Sequence, residues 1–383
     1  MNIGFDAKRY FHNTTGLGNY SRTLIEGLAT YYPQHQYYLL NPKPSDKYAK
    51  WASENVHEVL PSSFLHKKFS AAWRSSWVKN DLQKLGIDLY HGLSHEIPLG
   101  IQKTGIRSVV TMHDLISERY PEQFSSIDVS LYRKKYLNAC EHATRIIAIS
   151  QQTKRDLIDL YKIDEDKIDV CYQSCNPVFA QKIDEESKEV IRKKYDLPNE
   201  FFLSVGSIIE RKNLLNIVKA LQLLDSNIPL VVIGEGGAYK EKVKAYITQH
   251  SLQSKIIFLS EQGAVKEDKS FQSPQTFAAI YQMAIAMIYP SFFEGFGIPV
   301  LEALWSKLPV ITSNVSCLPE TGGNGAYYVD PDSAEQIAIG MKRIYEEKQL
   351  CNELIEKGWQ HAQNFTLQKC TDSVMNVYQK IVQ

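Results

Sequence analysis

The sequence contains no run of about 18 apolar residues, and its opening stretch MNIGFDAKRY carries no apolar leader. The expectation is a cytoplasmic, non-spanning chain. Excess charge is missing too: 43 Lys and Arg balance 43 Asp and Glu. A nucleic acid is therefore not expected as partner, although a local patch survives such an average. Cysteine is sparse and scattered. Of the 6, only Cys171 and Cys175 lie close, with no His or second Cys pair to complete a zinc site. Reduced structural thiols and no metal site are expected.

What is present is globular. Hydrophobic residues make up 44% and charged residues 22% of 383 positions, which excludes a disordered chain and suffices for two α/β domains. Short apolar runs alternate with helical patterns. NIGF (2–5), QYYLL (36–40), IDLYHG (87–92), SVVTMHD (108–114) and RIIAIS (145–150) read as strands. A loop is expected after the first, then a helix from about Asn19 to Ala29. Ser150 is placed to cap the helix QQTKRDLIDLY. The charged segment 181–200 carries no strand. The pattern then restarts with FFLSVG (201–206), PLVVIGEG (229–236), KIIFLS (255–260), AMIYPS (286–291) and LPVITS (308–313). The fold class is α/β, with two doubly wound parallel sheets and a cleft expected between them. The boundary falls near 176–186, which gives domains 1–180 and 181–362. The closing helical segment 363–383 is free to return to the first domain.

The most informative segment is YPSFFEGFGIPVLEALW (289–305). A strand ends, a loop with two glycines follows, and Pro299 sits in the first turn of a helix. Unpaired N–H groups and the helix dipole make such a terminus an anion site. Glu294 stands before the helix and Glu302 inside it, with seven residues between; a solvated Glu302 is the plain alternative. Arg211 and Lys212 occupy another strand-to-helix loop, where cations oppose the helix dipole unless an anion is bound.

The string EGFGIPVLE resembles the two-glutamate signature of retaining glycosyltransferases of family 4, which have the GT-B fold of two Rossmann-like domains. GSIIERKN (206–213), VVIGEG (231–236), SCLPETGG (316–323), YYVDPDS (327–333), TGLGNYSRTL (15–24) and TMHDL (111–115) resemble further family segments in order, across nearly the whole chain. The resemblance implies a domain 1–180 on the acceptor side and a domain 181–362 that binds a nucleotide-diphosphate sugar, GDP- or UDP-linked. It places Glu294 at the transferred sugar and the backbone of Phe296, Gly297 and Ile298 at sugar or diphosphate oxygens. Glu302 falls to the ribose hydroxyls, Arg211 and Lys212 to the diphosphate, and the turns near Gly234 and Ser260 to the base. Gly16 and Gly18 would approach the diphosphate or the acceptor, and His113 a sugar hydroxyl. His91 and His95 are weaker candidates, structural or acceptor-side. Lys8 and Arg9 face an anionic acceptor or simply solvent. The closest subgroup is mannosyltransferase-like enzymes of bacterial surface-polysaccharide assembly, acting on a glycan or lipid-linked acceptor. No cofactor is implied. Ser207 departs from the Arg that many members carry, with Arg211 as the compensating cation. The stretch 261–275 exceeds the family's usual loop.

Asp330 and Asp332 have the Asp-x-Asp spacing of metal-dependent transferases of another fold, but they precede a helix, where Asp332 or Ser333 reads as the cap. Asp164-Glu165-Asp166 reads as a solvated turn. In 64–84, Phe69, Trp73 and Trp77 repeat every four residues among Lys67, Lys68, Arg74 and Lys79. Either they form a core stripe or the segment touches anionic lipid, which would make the protein peripheral at the inner membrane face. Two rivals differ in class. A dehydrogenase would need a complete GxGxxG and an acidic partner, which are missing. A non-catalytic nucleotide-sugar sensor would have no need of Glu294, Arg211, Lys212 and His113 together.

Overall fold

The computed structural model describes residues 1–382, which divide into two compact units: residues 1–175 with the closing segment from Phe365, and residues 176–364. In the first, strands β1 (Asn2–Asp6), β2 (Gln36–Leu40), β3 (Val56–Val59), β4 (Leu89–Gly92), β5 (Arg107–Met112), β6 (Arg145–Ala148) and β7 (Ile168–Val170) pair in the order β3-β2-β1-β4-β5-β6-β7. In the second, β8 (Phe202–Val205), β9 (Leu230–Ile233), β10 (Ile256–Phe258), β11 (Ala286–Tyr289), β12 (Val310–Ser313) and β13 (Ala326–Val329) pair as β10-β9-β8-β11-β12-β13. Every strand pair is parallel.

Both sheets reverse direction next to their first strand, between β1 and β4 and between β8 and β11. At such switch points the outgoing loops diverge and leave room for a ligand. The central strands are buried on both faces, which is why they read as continuous apolar runs. Strands β3, β7 and β13 escape that pattern. Each is a sheet edge with fewer buried positions.

In the first unit Ile3, Phe5 and Val109 pack with helix 16–31 and the closing helix 367–382 through Val374, Met375 and Tyr378. The two helices cross so closely at Gly27 that a Cβ there would lie 2.1 Å from Thr371 Oγ1. The opposite face of this sheet is filled by Trp73, Leu82, Val110, Met112 and Cys140. In the second unit Leu230, Val232, Ile288 and Ile311 pack with Ile217, Leu221, Ile337 and Met341.

Several expectations need correction. A short helix, Lys8–His12, replaces the loop after β1. The next helix opens at Gly16 rather than Asn19, so Gly16 and Gly18 belong to its first turn. Segment 64–84 is not one helix with one aromatic stripe. It breaks at Phe69 (φ −110°, ψ 51°) and widens into a π turn over Trp73–Trp77. The wide turn spoils the four-residue repeat, so Trp73 enters the core while Phe69 and Trp77 stay outside. The long stretch 261–275 folds into short helical turns, Gly263–Lys266 and Lys269–Gln272. The six cysteines are free thiols. Among the described residues no helix is long and apolar enough to cross a membrane.

Candidate active site

The loops after β8 and β11 meet at the switch point of the second unit. Gly206 leaves β8 at φ +135°, and the place of its missing Cβ is filled by the Lys212 side chain, with Nζ 3.1 Å away. A 3₁₀ turn, Glu210–Lys212, then presents Arg211 and Lys212. Asn213 closes the turn in the left-handed region at φ 63°. Its side-chain amide donates to the carbonyls of Pro290 (3.1 Å) and Pro331 (2.6 Å). The loop after β11 is tied down as firmly. The Phe292 N–H donates to the Arg211 carbonyl at 2.8 Å, and the Glu294 N–H to Ser316 Oγ at 3.1 Å. The Arg211 guanidinium also donates to the Phe293 carbonyl.

These anchors bring three charges together. Glu294 Oε1 lies 3.0 Å from Arg211 Nη1 and 3.1 Å from Lys212 Nζ. Tyr289 Oη donates to the same oxygen at 2.9 Å and accepts from Lys212 Nζ at 2.5 Å. Burial alone would raise the Glu294 pKa, but Lys212 and Arg211 outweigh it and hold the carboxyl at about 2. Two cations thus converge on one carboxylate oxygen. Beside it Gly297, at φ +95°, opens helix Ile298–Trp305, which has Pro299 in its first turn and no side-chain cap. Paired cations and a helix N-terminus are each chemistry that attracts anions.

Glu302, on the second turn of that helix, is half-buried and partnered rather than freely solvated. Its Oε2 accepts from Tyr281 Oη at 2.9 Å. Burial raises its pKa to about 7, and the Tyr281 hydrogen bond only partly offsets this. The two glutamates thus lie in opposite electrostatic settings. Phe296 is buried, its carbonyl accepting from Thr321 Oγ1. Gly234 and Ser260 meet at the ends of β9 and β10, where the Gly234 N–H donates to Ser260 Oγ at 3.1 Å. Any Cβ on Gly234 would lie 1.9 Å from the Gly206 carbonyl oxygen, so glycine is required there. Ser207 is exposed at the edge of this loop.

Two sequence profiles cover most of the chain. One, described as glycosyltransferase family 4, matches residues 14–177. The other, glycosyl transferases group 1, matches 187–361. The chain is a glycosyltransferase in which a family 4 domain is followed by a group 1 domain. The transferase is 24% identical to the O-antigen chain mannosyltransferase B of Escherichia coli over 398 positions, 99% of each chain. A glycosyltransferase from Rickettsia africae superposes with a TM-score of 0.74 at 21% identity, covering 100% of this chain and 98% of that one. Anabaena Alr3699/HepE, in complex with UDP-glucose, superposes with a TM-score of 0.73 at 16% identity over 100% of both. The fold is GT-B.

The remaining candidates of the transferase lie in its first unit. His113 follows β5, with Nε2 2.8 Å from the Leu93 carbonyl and its ring edge-on to Tyr20. That contact makes Nε2 the donor and Nδ1 the acceptor. Burial and neighbouring His95 lower its pKa to about 3, so the ring is neutral. His95, at φ 64°, accepts the His113 N–H through Nε2 at 3.0 Å and stacks on Tyr136. It thereby holds the backbone of the His113 corner. His91 is structural: it links Tyr378 Oη (2.5 Å) to Thr111 Oγ1 (2.7 Å) and so ties the closing helix to the sheet. Position 18 must lack a Cβ, since one there would lie 2.0 Å from the Asn13 carbonyl oxygen, so Gly18 is required. Its N–H already donates to Thr15 O and Asn13 Oδ1. Gly16 has open space at its Cβ position.

Sequence reasoning missed Tyr289, Tyr281 and Asn213. For Tyr289, a polar hydroxyl at the end of a buried strand was the available signal. It also missed the pairing of Asp6 with Arg74 (2.5 Å), and of Arg74 with Glu96 (3.1 Å). Of the two expected caps, Ser333 is the one that caps the helix after the Asp-x-Asp turn. Asp330 accepts the Asp332 N–H at 2.9 Å. Among the described residues no group of three or more His, Cys, Asp or Glu is placed to hold a metal ion.

Proposed function

We propose that this glycosyltransferase moves mannose from a nucleotide-diphosphate sugar, GDP- or UDP-linked, to a hydroxyl of a growing glycan or lipid-linked glycan, with retention at the anomeric carbon. The observation that carries the reading is the Arg211–Lys212–Glu294 cluster beside the helix terminus at Gly297. Its two cations suit a leaving diphosphate, and its carboxylate suits hydroxyls of the sugar. Mannose is favoured by the name of the full-length Escherichia coli relative.

In this reading the acceptor oxygen bonds to the anomeric carbon on the face the diphosphate leaves. The bond from that carbon to the phosphate oxygen breaks, and the acceptor proton passes to the departing phosphate. The protein contributes positioning and charge stabilisation, with Arg211, Lys212 and the N–H groups at Gly297 and Ile298 facing the developing negative charge. Glu294 is ionised throughout the neutral range and faces the sugar. Glu302 takes the ribose hydroxyls, Gly234 and Ser260 border the base, and neutral His113 bonds a sugar hydroxyl through Nδ1. No metal or cofactor is required, because these cations fill the role that Mg²⁺ has elsewhere. The chain would act in the cytoplasm.

The test is a thermal-shift panel of UDP, GDP, ADP and their sugars, followed by transfer assays with the stabilising donor and analysis of the product's anomeric configuration. One nucleotide class should stabilise the protein, activity should survive EDTA, and the product should keep the donor's configuration. An inverted product, or activity lost to EDTA and restored by Mn²⁺, overturns the mechanism. Stabilisation by a nucleotide sugar with no transfer to any glycan acceptor favours the sensor.

A further inference from the structure

We infer that residues 64–79, together with Leu99, form a docking surface for an anionic lipid bilayer. Large apolar side chains stand in solvent there: Phe64 is 76% exposed, Leu65 61%, Phe69 49%, Leu99 52% and Trp77 39%. Phe69, Trp77 and Leu99 are tied to one segment of the surface. The Phe69 and Trp77 rings meet edge to face at 6.5 Å, and His66 lies against Trp77 at 5.4 Å. The Leu99 N–H donates to the Ser75 carbonyl at 2.8 Å, and Lys79 Nζ to the Leu99 carbonyl at 2.6 Å.

Along the segment itself the charge has one sign. From Val59 to Asn80 the chain holds no Asp or Glu, while Lys67 and Lys68 are exposed beside the aromatics. Lys68 Nζ lies 5.7 Å from the centre of the Phe69 ring. Asp81, the first acid after the segment, is engaged by Trp73 Nε1 at 2.6 Å. Exposed Phe, Leu and Trp interleaved with Lys suit the boundary between acyl chains and anionic headgroups. There the apolar side chains are buried and the cations find lipid phosphates.

The segment is held firmly from behind. Trp73 is fully buried, and Arg74 reaches Asp6 at the carboxyl end of β1. The π turn sends these two inward while leaving Phe69 and Trp77 outside. The surface is therefore a fixed projection, and its exposed residues are not needed to fill the core. The inference rests on the proposed function only in making the acceptor lipid-linked. Its test needs no turnover, so either can fail without the other.

The full chain should be sedimented with vesicles of phosphatidylcholine alone and of equimolar phosphatidylcholine and phosphatidylglycerol. Wild type should bind the mixed vesicles at least about tenfold more tightly than the neutral ones, and binding should weaken with salt. Phe64→Glu with Leu65→Glu should abolish binding at every salt concentration. Lys67→Glu with Lys68→Glu should remove the preference for phosphatidylglycerol. All variants should keep the wild-type melting temperature, since the substituted side chains are exposed. Leu65→Ser alone, expected to weaken binding, replaces the first pair if that pair unfolds. The proposal is overturned if wild type ignores the mixed vesicles at low salt, or if the Phe64/Leu65 variants bind like wild type. A concentration-dependent dimer that those variants dissolve, without vesicle binding, would make the patch a face for a second copy and equally overturn it.

Discussion

Lys212 Nζ and Glu294 Oε1 stand 3.1 Å apart at the carboxyl ends of β8 and β11, strands adjacent in the sheet and distant in the chain. Tyr289 Oη touches both groups. Burial pulls the Lys212 pKa below its ordinary value, against the upward pull of Glu294. The ammonium is thus held in place by a carboxylate and a hydroxyl before any substrate arrives, as a charge stabiliser should be.

Replacing Lys212 with Ala should lower turnover about 10²- to 10³-fold, the usual size for one lost charge stabiliser. Stability should fall by about 2 kcal/mol, because Glu294 then loses one of the cations it faces. Steady-state kinetics beside chemical denaturation separate the two effects. Unchanged turnover in a destabilised variant would reduce Lys212 to a structural partner.

Tyr289→Phe is the gentler probe. It keeps the ring and removes only the hydroxyl between Glu294 and Lys212. Turnover should drop about tenfold with KM nearly unchanged, for a stability loss of about 1 kcal/mol. A rise in KM alone would mean that the hydroxyl serves ground-state binding.

The two glutamates should fail differently. Glu302→Ala should weaken nucleotide and sugar nucleotide alike by about 1.5 to 3 kcal/mol, raising KM more than it lowers kcat. Glu294→Gln should lower kcat while nearly sparing nucleotide affinity. Calorimetry with the free nucleotide decides the matter. If Glu294→Gln abolishes nucleotide binding and Glu302→Ala spares it, the two ends of the site are exchanged.

Glu302 also predicts a pH dependence. Burial raises its folded pKa to about 7 from an ordinary 4.5. The folded chain therefore holds this proton more tightly than the unfolded chain. The advantage is complete below about pH 4.5 and is lost as pH rises through 7, a change of about 3 kcal/mol. Glu302→Gln should flatten that part of the stability curve and be the more stable protein at pH 8. Glu294, depressed to about 2 by its cations, acts in the opposite sense: its contribution is present above pH 4.5 and fades as pH falls through 2. Denaturation curves from pH 5 to pH 8 for wild type and Glu302→Gln check the first claim. Parallel curves for the two proteins would refute it.

Gly297→Ala should destabilise by about 1 to 3 kcal/mol. Its φ of +95° strains any side chain, and the new Cβ would lie 2.9 Å from Leu318 Cδ2. Because this residue opens helix Ile298–Trp305, diphosphate affinity should fall with stability. A folded variant that binds the nucleotide like wild type would remove the helix terminus from the anion site.

The alternation of apolar runs with helical segments determined the two doubly wound sheets, because the central strands are buried on both faces and hardly any other pattern hides them. Glycine, proline and serine marked the loop into helix 298–305 and the cap at Ser150, because those choices are settled within a few residues. Edge strands such as β3 and β7 stayed hidden for lack of that double burial. The tertiary structure alone decided that Arg211 and Lys212 converge on Glu294, and that Tyr281 faces Glu302. It alone turned Trp73 inward and left Phe69 and Trp77 outside. Ion pairing and burial depend on what arrives from distant parts of the chain. Two glutamates on one short segment can therefore differ by several units in acidity while their local sequence says little about which is which.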